Sequence, residues 1–322
     1  MKRLVFLVIA LAWSTSPTWA AEGARYAVVV QGASGEPQYA QLHRGWVDSL
    51  STVLRDRMGF DPARITKLTE EPKAGELKGT AENVKATLER LAKETKPDDL
   101  VFIMLIGHGG GEPTAAKFNL IGPDLTAAEW STLLKPIAAR MVIVDSTSSS
   151  FPFLEGLSGK NRIVITATNT FAQKYHTVFP DAFIKALMAT DADADKNGRL
   201  SLLEVFNATS RLVALHYEQD GHMSTETAML DDTGDGKGRN AAATGDDGVI
   251  AGLTYLDAVA APKSADPETQ ALLVRQQALT EQIDELRRRR ASISAEEFDR
   301  EFEKLIVDLA LVSRDVRRKV IR

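Results

Sequence analysis

The sequence predicts an α/β fold in which helices cover both faces of a mostly parallel β-sheet. From residue 25 to about residue 206, short apolar runs alternate with longer segments whose apolar residues recur at helical spacing. Buried parallel strands joined by amphipathic helices produce this alternation. Two of the apolar runs also end in clusters of polar residues, and the carboxyl ends of such strands are where α/β folds carry their functional sites.

Five apolar runs predict the strands, because they are short, rich in β-branched residues and bounded by turn-forming residues. They span residues 26–30, 65–68, 99–106, 141–144 and 162–166. Three helices are predicted between them, at roughly 42–58, from about 81, and after a capping box formed by Thr126 and Glu129.

Residues 1–20 predict a secretory signal. Lys2 and Arg3 form its charged end, residues 4–13 its apolar stretch, and Thr18-Trp19-Ala20 a cleavage site of small residues. The alternative is an uncleaved anchor, although the apolar run is short for a bilayer. We therefore expect an exported protein, periplasmic or secreted, that is free of the membrane after cleavage.

Composition limits the classes of partner and of chemistry. The formal net charge of −5 becomes −7 when cleavage removes Lys2 and Arg3. An acidic protein is poorly suited to nucleic acids or anionic lipids and better suited to cations. The chain contains no cysteine. Disulfides, a lipoprotein anchor and a thiol nucleophile are therefore excluded.

The pattern divides the chain into five parts. They are the signal at 1–20, an α/β domain at 21–190, a helix–loop–helix at 182–215, a loop region rich in Gly and Asp at 216–260 that completes the domain, and a C-terminal helical hairpin at 261–322.

The C-terminal hairpin is predicted from two helix starts and two apolar stripes. Asp266-Pro267-Glu268 supplies a cap, a fixed φ and an acidic first turn, and Ser294 precedes a second helix in the same way. Apolar residues recur at steps of three and four along both helices, as in antiparallel helix pairs and coiled coils. Such a hairpin either packs on its own domain or mediates self-association through residues 267–322.

A calcium loop is the most specific motif in the chain. The loop between the helices of 182–215 fits the EF-hand pattern, because its spacing supplies the hard oxygen ligands that Ca²⁺ requires. The predicted ligands are Asp193, Asp195, Asn197, the carbonyl of Arg199, Ser201 and the bidentate Glu204. Gly198 permits the sharp turn. The alternative is an acidic turn without metal.

A second acidic loop, at 231–236, matches only the first half of this pattern. Its twelfth position is Ala242, which has no carboxylate. The sequence leaves open whether this loop is a weaker cation site or a turn.

Polar residues follow two of the predicted strands. The strand at 99–106 leads into His108-Gly109, and the strand at 141–144 leads into Asp145-Ser146-Thr147-Ser148. We expect both segments to lie at the carboxyl edge of the sheet. The remaining histidines have no spacing that implies a metal or a catalytic partner, and they are interpreted as incidental: His43, His176, His216 and His222.

These segments resemble the caspase-like fold of cysteine peptidases, and most closely the legumain (asparaginyl endopeptidase, peptidase C13-like) family. In that family His-Gly follows one central strand, and the next strand ends in a short acidic-small-Cys segment. The resemblance covers about residues 25–190. It places His108 at the catalytic histidine, Asp145 at the acidic position and Thr147 at the position of the cysteine.

The chain departs from this family at the nucleophile. A thiol is partly ionised near neutral pH, whereas a hydroxyl requires a general base in contact and an oxyanion hole. The resemblance makes His108 the candidate base and Gly109 a candidate oxyanion donor. Thr147, Ser146 and Ser148 are the candidate nucleophiles, in that order. Asp145 either orients His108 or caps the following turn.

Three hypotheses follow. The first is an exported, calcium-binding pseudopeptidase of the legumain type that binds a peptide or protein at the sheet's carboxyl edge or serves as a scaffold. The second is a peptidase-type hydrolase that uses Thr147 or a neighbouring serine with His108 as base. The third is an assembly protein that acts through its C-terminal hairpin. None of the three is an active cysteine peptidase.

Overall fold

The computed structural model describes residues 23–257 and 266–320. The predicted signal at 1–20 and residues 261–265 of the predicted linker lie outside the described residues. Within the described residues, the chain forms a seven-stranded sheet, a three-stranded sheet and nine α-helices.

The elements follow one another along the chain as predicted, with several additions. In chain order, the strands are β1 (Arg25–Gln31), β2 (Ile65–Thr69), β3 (Leu77–Lys78), β4 (Leu100–Ile106), β5 (Gly109–Glu112), β6 (Ala115–Phe118), β7 (Leu125–Thr126), β8 (Arg140–Asp145), β9 (Arg162–Thr166) and β10 (Met229–Asp231). The helices are α1 (Pro37–Asp56), α2 (Ala81–Glu94), α3 (Ala127–Leu134), α4 (Phe151–Leu157), α5 (Phe179–Met188), α6 (Leu202–Gln219), α7 (Val249–Gly252), α8 (Pro267–Arg288) and α9 (Ala295–Val320).

The large sheet confirms the predicted fold class. Its strand order is β10-β9-β8-β4-β1-β2-β3, and all neighbouring strands are parallel except β10, which pairs antiparallel with β9. The five predicted runs form β1, β2, β4, β8 and β9, which occupy the middle of this sheet. Strand β4 is central, and its partners β1 and β8 lie on either side.

Two apolar layers hold the sheet between its helices. Alternate side chains of each strand point to opposite faces, so Phe102 and Met104 of β4 join the layer beneath α1, α5 and α6. Ile103 and Leu105 join the layer beneath α2, α3 and α4. The central strands are fully buried on both faces, which explains why they appear in sequence as continuous apolar runs.

Some boundaries differ from the prediction, for local reasons. Helix α1 begins at Pro37 and not near residue 42, because proline at the first helical turn is pre-organised for the helix. The glycines after His108 form β5, which pairs antiparallel with β6 in the three-stranded sheet. Glycine lowers strand propensity, so the apolar pattern gave no sign of this hairpin.

The C-terminal helices pair as an antiparallel hairpin, as predicted. Asp266 caps α8 by accepting hydrogen bonds from the amides of Glu268 and Thr269. Leu279, Val312 and Val316 form a small apolar cluster between α8 and α9. In the part of the chain that the structure describes, no helix is both long and apolar enough to cross a membrane.

Candidate functional site

The two polar segments meet at one edge of the large sheet. Strands β4 and β8 are adjacent and parallel, with Leu105 opposite Asp145. His108 follows the end of β4, and Thr147 follows the end of β8. Gly109 lies beside Thr147, because a Cβ atom on Gly109 would come within 2.8 Å of the Thr147 Oγ1 and 2.2 Å of the Ser148 carbonyl. Only glycine fits where the backbone at residue 109 passes Thr147 and Ser148.

The Thr147 hydroxyl is engaged within its own segment. It donates a hydrogen bond to Oδ1 of Asp145 at 2.7 Å and lies 3.2 Å from the Ser148 carbonyl. The Thr147 amide also donates to Oδ1 of Asp145, at 3.0 Å. Asp145 therefore caps the turn that follows β8, the second of the two roles considered for it. Thr147 is only 1% exposed.

The neighbouring serines have structural hydrogen bonds. Ser146 donates to the carbonyl of Leu105 at 2.5 Å, which ties the end of β8 to β4. Ser149 has a positive φ of 55° and donates to the carbonyl of Gln173 at 3.1 Å. Ser146 and Ser148 are 0% and 3% exposed. The serine run thus forms a buried, hydrogen-bonded turn.

His108 lies in a cluster of imidazole rings that the sequence did not indicate. Its ring centroid is 5.2 Å from that of His43 and 6.0 Å from that of His176. Its Nε2 lies 3.2 Å from the carbonyl of Ser34, which accepts a hydrogen bond when Nε2 is protonated. His43 and His176, interpreted from the sequence as incidental, therefore lie against His108. One sequence feature could have indicated this cluster. Tyr39, His43 and Trp46 recur at helical spacing, which places their three rings on one face of α1.

Burial keeps two of these imidazoles neutral. Desolvation, with smaller effects of the neighbouring His108 and His176, lowers the pKa of His43 to about 3. The pKa of His176 falls to about 4 for the same two reasons, desolvation first and then His108. A positive charge on His43 or His176 would be poorly solvated and close to another imidazole. Both rings are therefore neutral near pH 7.

Unpartnered buried polar atoms are concentrated at this same edge. Asp145 Oδ2, His43 Nε2 and His176 Nδ1 have no hydrogen-bond partner among the described residues. The same holds for Gln31 Oε1 at the end of β1 and Glu70 Oε2 just after β2. Buried polar groups normally find partners, and those that lack them mark functional positions or bound molecules. This edge of the sheet therefore holds buried polar atoms that no other described residue satisfies.

Burial also changes the ionisation of Asp145. The carboxyl group is fully buried, and desolvation raises its pKa to about 6 in spite of two hydrogen bonds from Thr147 that oppose the shift. No positively charged group is among the causes of this shift, and the bonds of Oδ1 come from Thr147. Asp145 is thus a partner of Thr147 and not an orienting group for His108.

The predicted calcium loop joins α5 to α6 in a compact turn. Asp193 accepts hydrogen bonds from the amides of Asn197 and Gly198, at 3.1 and 3.0 Å. Gly198 has a φ of 82°, which favours glycine. Glu204 spans the loop, since its Oε1 accepts from the amide of Ala194 at 2.8 Å.

The side chains of the loop converge on one point. Carboxylate oxygens of Asp193, Asp195 and Glu204 lie within 4.8 Å of one another. Among the described residues, this is the one group of three or more His, Cys, Asp or Glu side chains that meets this distance. The imidazole cluster does not meet it. Oxygen donors are the ligands of hard cations, so the set fits Ca²⁺ or Mg²⁺ better than a transition metal.

The second acidic loop uses its carboxylates to hold the backbone. Asp231 accepts from the amides of Gly234 and Gly236 at 2.7 and 2.6 Å. Asp232 accepts from Gly248 and Ala251 at the start of α7, at 2.9 and 2.7 Å. These bonds explain the turn without a cation.

Comparisons with known proteins give limited similarity. No protein-family profile matches the chain. It is 24% identical over 131 residues to a protein named superoxide dismutase [Mn] 3 from Leptolyngbya boryana, a match that covers 35% of this chain and 53% of that protein. The chain thus spans about half the length of the curated relative that it matches.

Two solved structures resemble the chain in fold. Caspase-1 from Spodoptera frugiperda has a TM-score of 0.45 and 10% identity, with 66% of this chain and 89% of that chain covered. A secreted C11 cysteine protease from Bacteroides thetaiotaomicron has a TM-score of 0.40 and 11% identity, with 65% and 66% covered. These similarities concern the outline of the α/β fold, and no argument about activity rests on them.

Proposed function

We propose that the protein is an exported, calcium-binding pseudopeptidase of the legumain type, whose sheet edge binds a peptide or protein instead of cleaving it. The observation that carries this proposal is the engagement of Thr147 at the position of the cysteine nucleophile. Its hydroxyl is buried and donates to Asp145, whereas a working hydroxyl nucleophile donates to its general base.

The environment of His108 supports the same proposal. Its Nε2 faces the Ser34 carbonyl, and the ring packs against Tyr39 at 5.0 Å between centroids. A general base needs a free nitrogen aimed at the nucleophile or at a water. Here Nε2 is engaged by a backbone carbonyl, no hydrogen bond among the described residues joins either ring nitrogen to the Thr147 hydroxyl, and the ring packs on Tyr39, which suits a structural or ligand-contacting role.

The unpartnered polar atoms support binding at this edge. Asp145 Oδ2 and Glu70 Oε2 are buried acceptors without a partner among the described residues, and a ligand that opens this edge can satisfy them with its amide or hydroxyl donors. An extended peptide presents such donors at regular spacing. The expected ligand is therefore a peptide or protein segment bound across the ends of β1, β4 and β8.

A hydroxyl-dependent hydrolase is the second candidate function. It is favoured by the position of the hydroxyl-rich turn directly beside Gly109, at the same edge as His108. It would require the Thr147 hydroxyl to leave Asp145 and pair with His108. Asp145 has a pKa of about 6, so protonation below that pH would weaken its hold on the hydroxyl.

One experiment separates these two functions. The mature protein, with Ca²⁺ present, is incubated with a mixed fluorogenic peptide library beside His108→Ala and a triple variant carrying Thr147→Ala, Ser146→Ala and Ser148→Ala. The pseudopeptidase predicts no turnover in any of the three. Turnover that disappears in both variants would replace this proposal with the hydrolase.

Calcium binding and export are parts of the same proposal with separate support. The convergence of Asp193, Asp195 and Glu204 supports a hard cation in the loop. The charged, apolar and small-residue order of residues 1–20 supports export. Amino-terminal sequencing of the protein purified from its native compartment tests export, and a first residue of Ala21 is expected.

Self-association through the C-terminal hairpin is a further proposal. Helix α9 exposes Ile306, Val307 and Leu311 beside its paired face, at 39%, 51% and 45% exposure. Apolar side chains grouped on one helix are typical of contact surfaces. Light scattering of the full chain and of a chain lacking residues 267–322 tests it, and a monomer in both cases would refute it.

A further inference from the structure

The segment 253–257 lies between the calcium loop and the C-terminal hairpin. On the loop side, the amide of Leu202 donates to the carbonyl of Thr254 at 2.8 Å. Ser201 and Tyr255 form an antiparallel β-bridge. These two contacts attach the segment to the backbone of the loop.

Two ligand positions of the loop also reach this segment through their side chains. The guanidinium of Arg199, whose carbonyl is a predicted calcium ligand, lies 3.9 Å from the centre of the Tyr255 ring. The same guanidinium forms an ion pair with Asp257 at 3.2 Å. The side-chain amide of Asn197 lies 3.5 Å from the Tyr255 hydroxyl. Tyr255 is therefore held against the loop by contacts of both its ring and its hydroxyl.

The hairpin reaches the segment from the other side. Arg288 of α8 donates a short hydrogen bond to the carbonyl of Leu253 and forms an ion pair with Glu285 at 2.8 Å. Glu285 also pairs with Arg140 of the α/β domain at 3.4 Å. A crevice of about 230 Å³ lies between the loop and the hairpin. Arg199 and Tyr255 line one side of it, and α8 lines the other.

Charged side chains of both signs line this crevice. The guanidinium groups are those of Arg25, Arg140, Arg199 and Arg288, and the carboxylates are those of Asp98, Glu281, Asp284 and Glu285. Arg199 is one of three guanidinium groups that act on Asp284, after Arg288 and Arg287. Arg199 therefore connects a predicted ligand position of the loop with the charged side chains of α8.

We infer that cation binding in the loop strengthens the docking of the C-terminal hairpin on the α/β domain, through Arg199 and Tyr255. This inference rests on the proposed calcium binding and adds its consequence. A bound cation holds the carbonyl of Arg199 and fixes the loop backbone to which Thr254 and Tyr255 are attached. Binding linkage is reciprocal, so a docked hairpin raises the cation affinity of the loop by the same factor.

The test measures docking and cation binding separately. The chain has no cysteine, so spin labels can be attached at Lys93→Cys on α2 and Glu303→Cys on α9, both exposed positions. Double electron–electron resonance then gives the label-to-label distance distribution. Terbium luminescence reports occupancy of the loop. Calcium is expected to narrow the distribution and to raise the ratio of docked to undocked chains roughly fivefold or more.

Three variants in the labelled protein make the result specific. Glu204→Gln is expected to abolish both terbium binding and the narrowing of the distance distribution by calcium. Tyr255→Leu lies outside the loop, so it should still bind terbium, but calcium should narrow its distance distribution much less. Arg289→Ala is the matched control: Arg289 contacts Glu301 within the hairpin at 3.9 Å, and its removal should leave the narrowing intact.

The outcomes distinguish the inference from the proposal beneath it. Terbium binding with an unchanged distance distribution would overturn the inference and leave calcium binding standing. A full narrowing of the distance distribution in Tyr255→Leu would also overturn it, because the proposed connection would be unnecessary. The absence of terbium binding in the unmutated chain would overturn both.

Discussion

The Thr147 hydroxyl lies 2.7 Å from Oδ1 of Asp145 and donates its hydrogen to that carboxylate. The contact closes a tight turn at the end of β8, where the resemblance to cysteine peptidases places the nucleophile. Asp145 is fully buried and receives both of its hydrogen bonds from Thr147. A turn of this type, in which an Asp side chain bonds to the residue two positions on, stabilises the chain locally and needs no catalytic role.

Replacing Thr147 with valine should therefore destabilise the protein. Valine has the shape of threonine but cannot donate a hydrogen bond, so the buried Asp145 would keep only the backbone amide. The expected loss is about 1–3 kcal/mol in the free energy of unfolding, because a buried charged acceptor loses a partner. Urea denaturation at neutral pH measures it.

Thr147→Ser is the matched control for this prediction. Serine keeps the hydroxyl and loses one methyl group, so its loss of stability should be clearly smaller than that of Thr147→Val. If both variants lose the same amount, the hydrogen bond to Asp145 does not stabilise the fold.

The histidine cluster predicts a loss of stability in acid. Unfolded His43 takes up a proton near its ordinary pKa of 6.5, whereas the folded protein resists protonation until about pH 3. The free energy of unfolding is thus highest above pH 6.5 and falls as the pH is lowered through the range between these values. His176, with a pKa of about 4, contributes in the same direction.

Asp145 changes the pH dependence of stability in the opposite direction, so its contribution must be separated from that of the histidines. Its folded pKa of about 6 lies above the ordinary 3.8, so its protonation favours the folded state as the pH falls from 6 to 3.8. A variant comparison isolates the histidine effect. His43→Phe keeps an aromatic ring between Tyr39 and Trp46. When the pH is lowered from about 7 to about 5, the free energy of unfolding of this variant should fall less than that of the unmutated protein, by about 1–2 kcal/mol.

The control for the acid effect is His222→Asn, at an exposed position. Its stability should follow the pH dependence of the unmutated protein. An unchanged pH dependence in His43→Phe would mean that His43 is not held neutral by burial.

Calcium should raise the melting temperature through Glu204. A ligand that binds only the folded state stabilises it by ~2.7 kcal/mol at a hundredfold excess over Kd. Glu204→Gln should abolish most of the calcium-dependent rise, because it loses a negatively charged ligand at the closing position of the loop. Differential scanning calorimetry with calcium and with chelator measures the effect.

Glu218→Gln provides the comparison, since Glu218 is an exposed residue on the same helix, outside the loop. It should retain the full rise. A rise of the same size in Glu204→Gln would remove the assignment of the loop as a calcium site.

The second acidic loop should prove structural. Asp232→Asn weakens the bonds to the amides of Gly248 and Ala251 at the start of α7, and a loss of about 1–2 kcal/mol is expected. The calcium-dependent rise in melting temperature should be the same in Asp232→Asn as in the unmutated protein. Isothermal titration of the unmutated protein should give about one calcium per chain.

Asp246→Asn, an exposed change in the same region, should alter neither stability nor calcium binding. A second calcium that disappears in Asp232→Asn would show that the loop at 231–236 is a cation site after all.

Local signals in the sequence determined the elements of the sheet and their caps. The apolar runs gave β1, β2, β4, β8 and β9, because strands buried on both faces carry few polar residues. The capping box of Thr126 and Glu129 and the cap at Asp266 formed as predicted, since each involves residues within one helical turn. The sequence also placed His108 and Asp145 at the carboxyl edge of the sheet, and the structure shows that their strands are adjacent.

Contacts between distant parts of the chain were decided only by the tertiary structure. The clustering of His43, His108 and His176 joins a helix, a strand end and a loop, and the attachment of Tyr255 to the calcium loop joins residues more than fifty positions apart. The choice of Asp145 as the partner of the Thr147 hydroxyl depends on how the turn closes against Gly109. Such contacts leave no periodic or capping pattern, because their energy comes from packing and burial that exist only once the whole domain has folded.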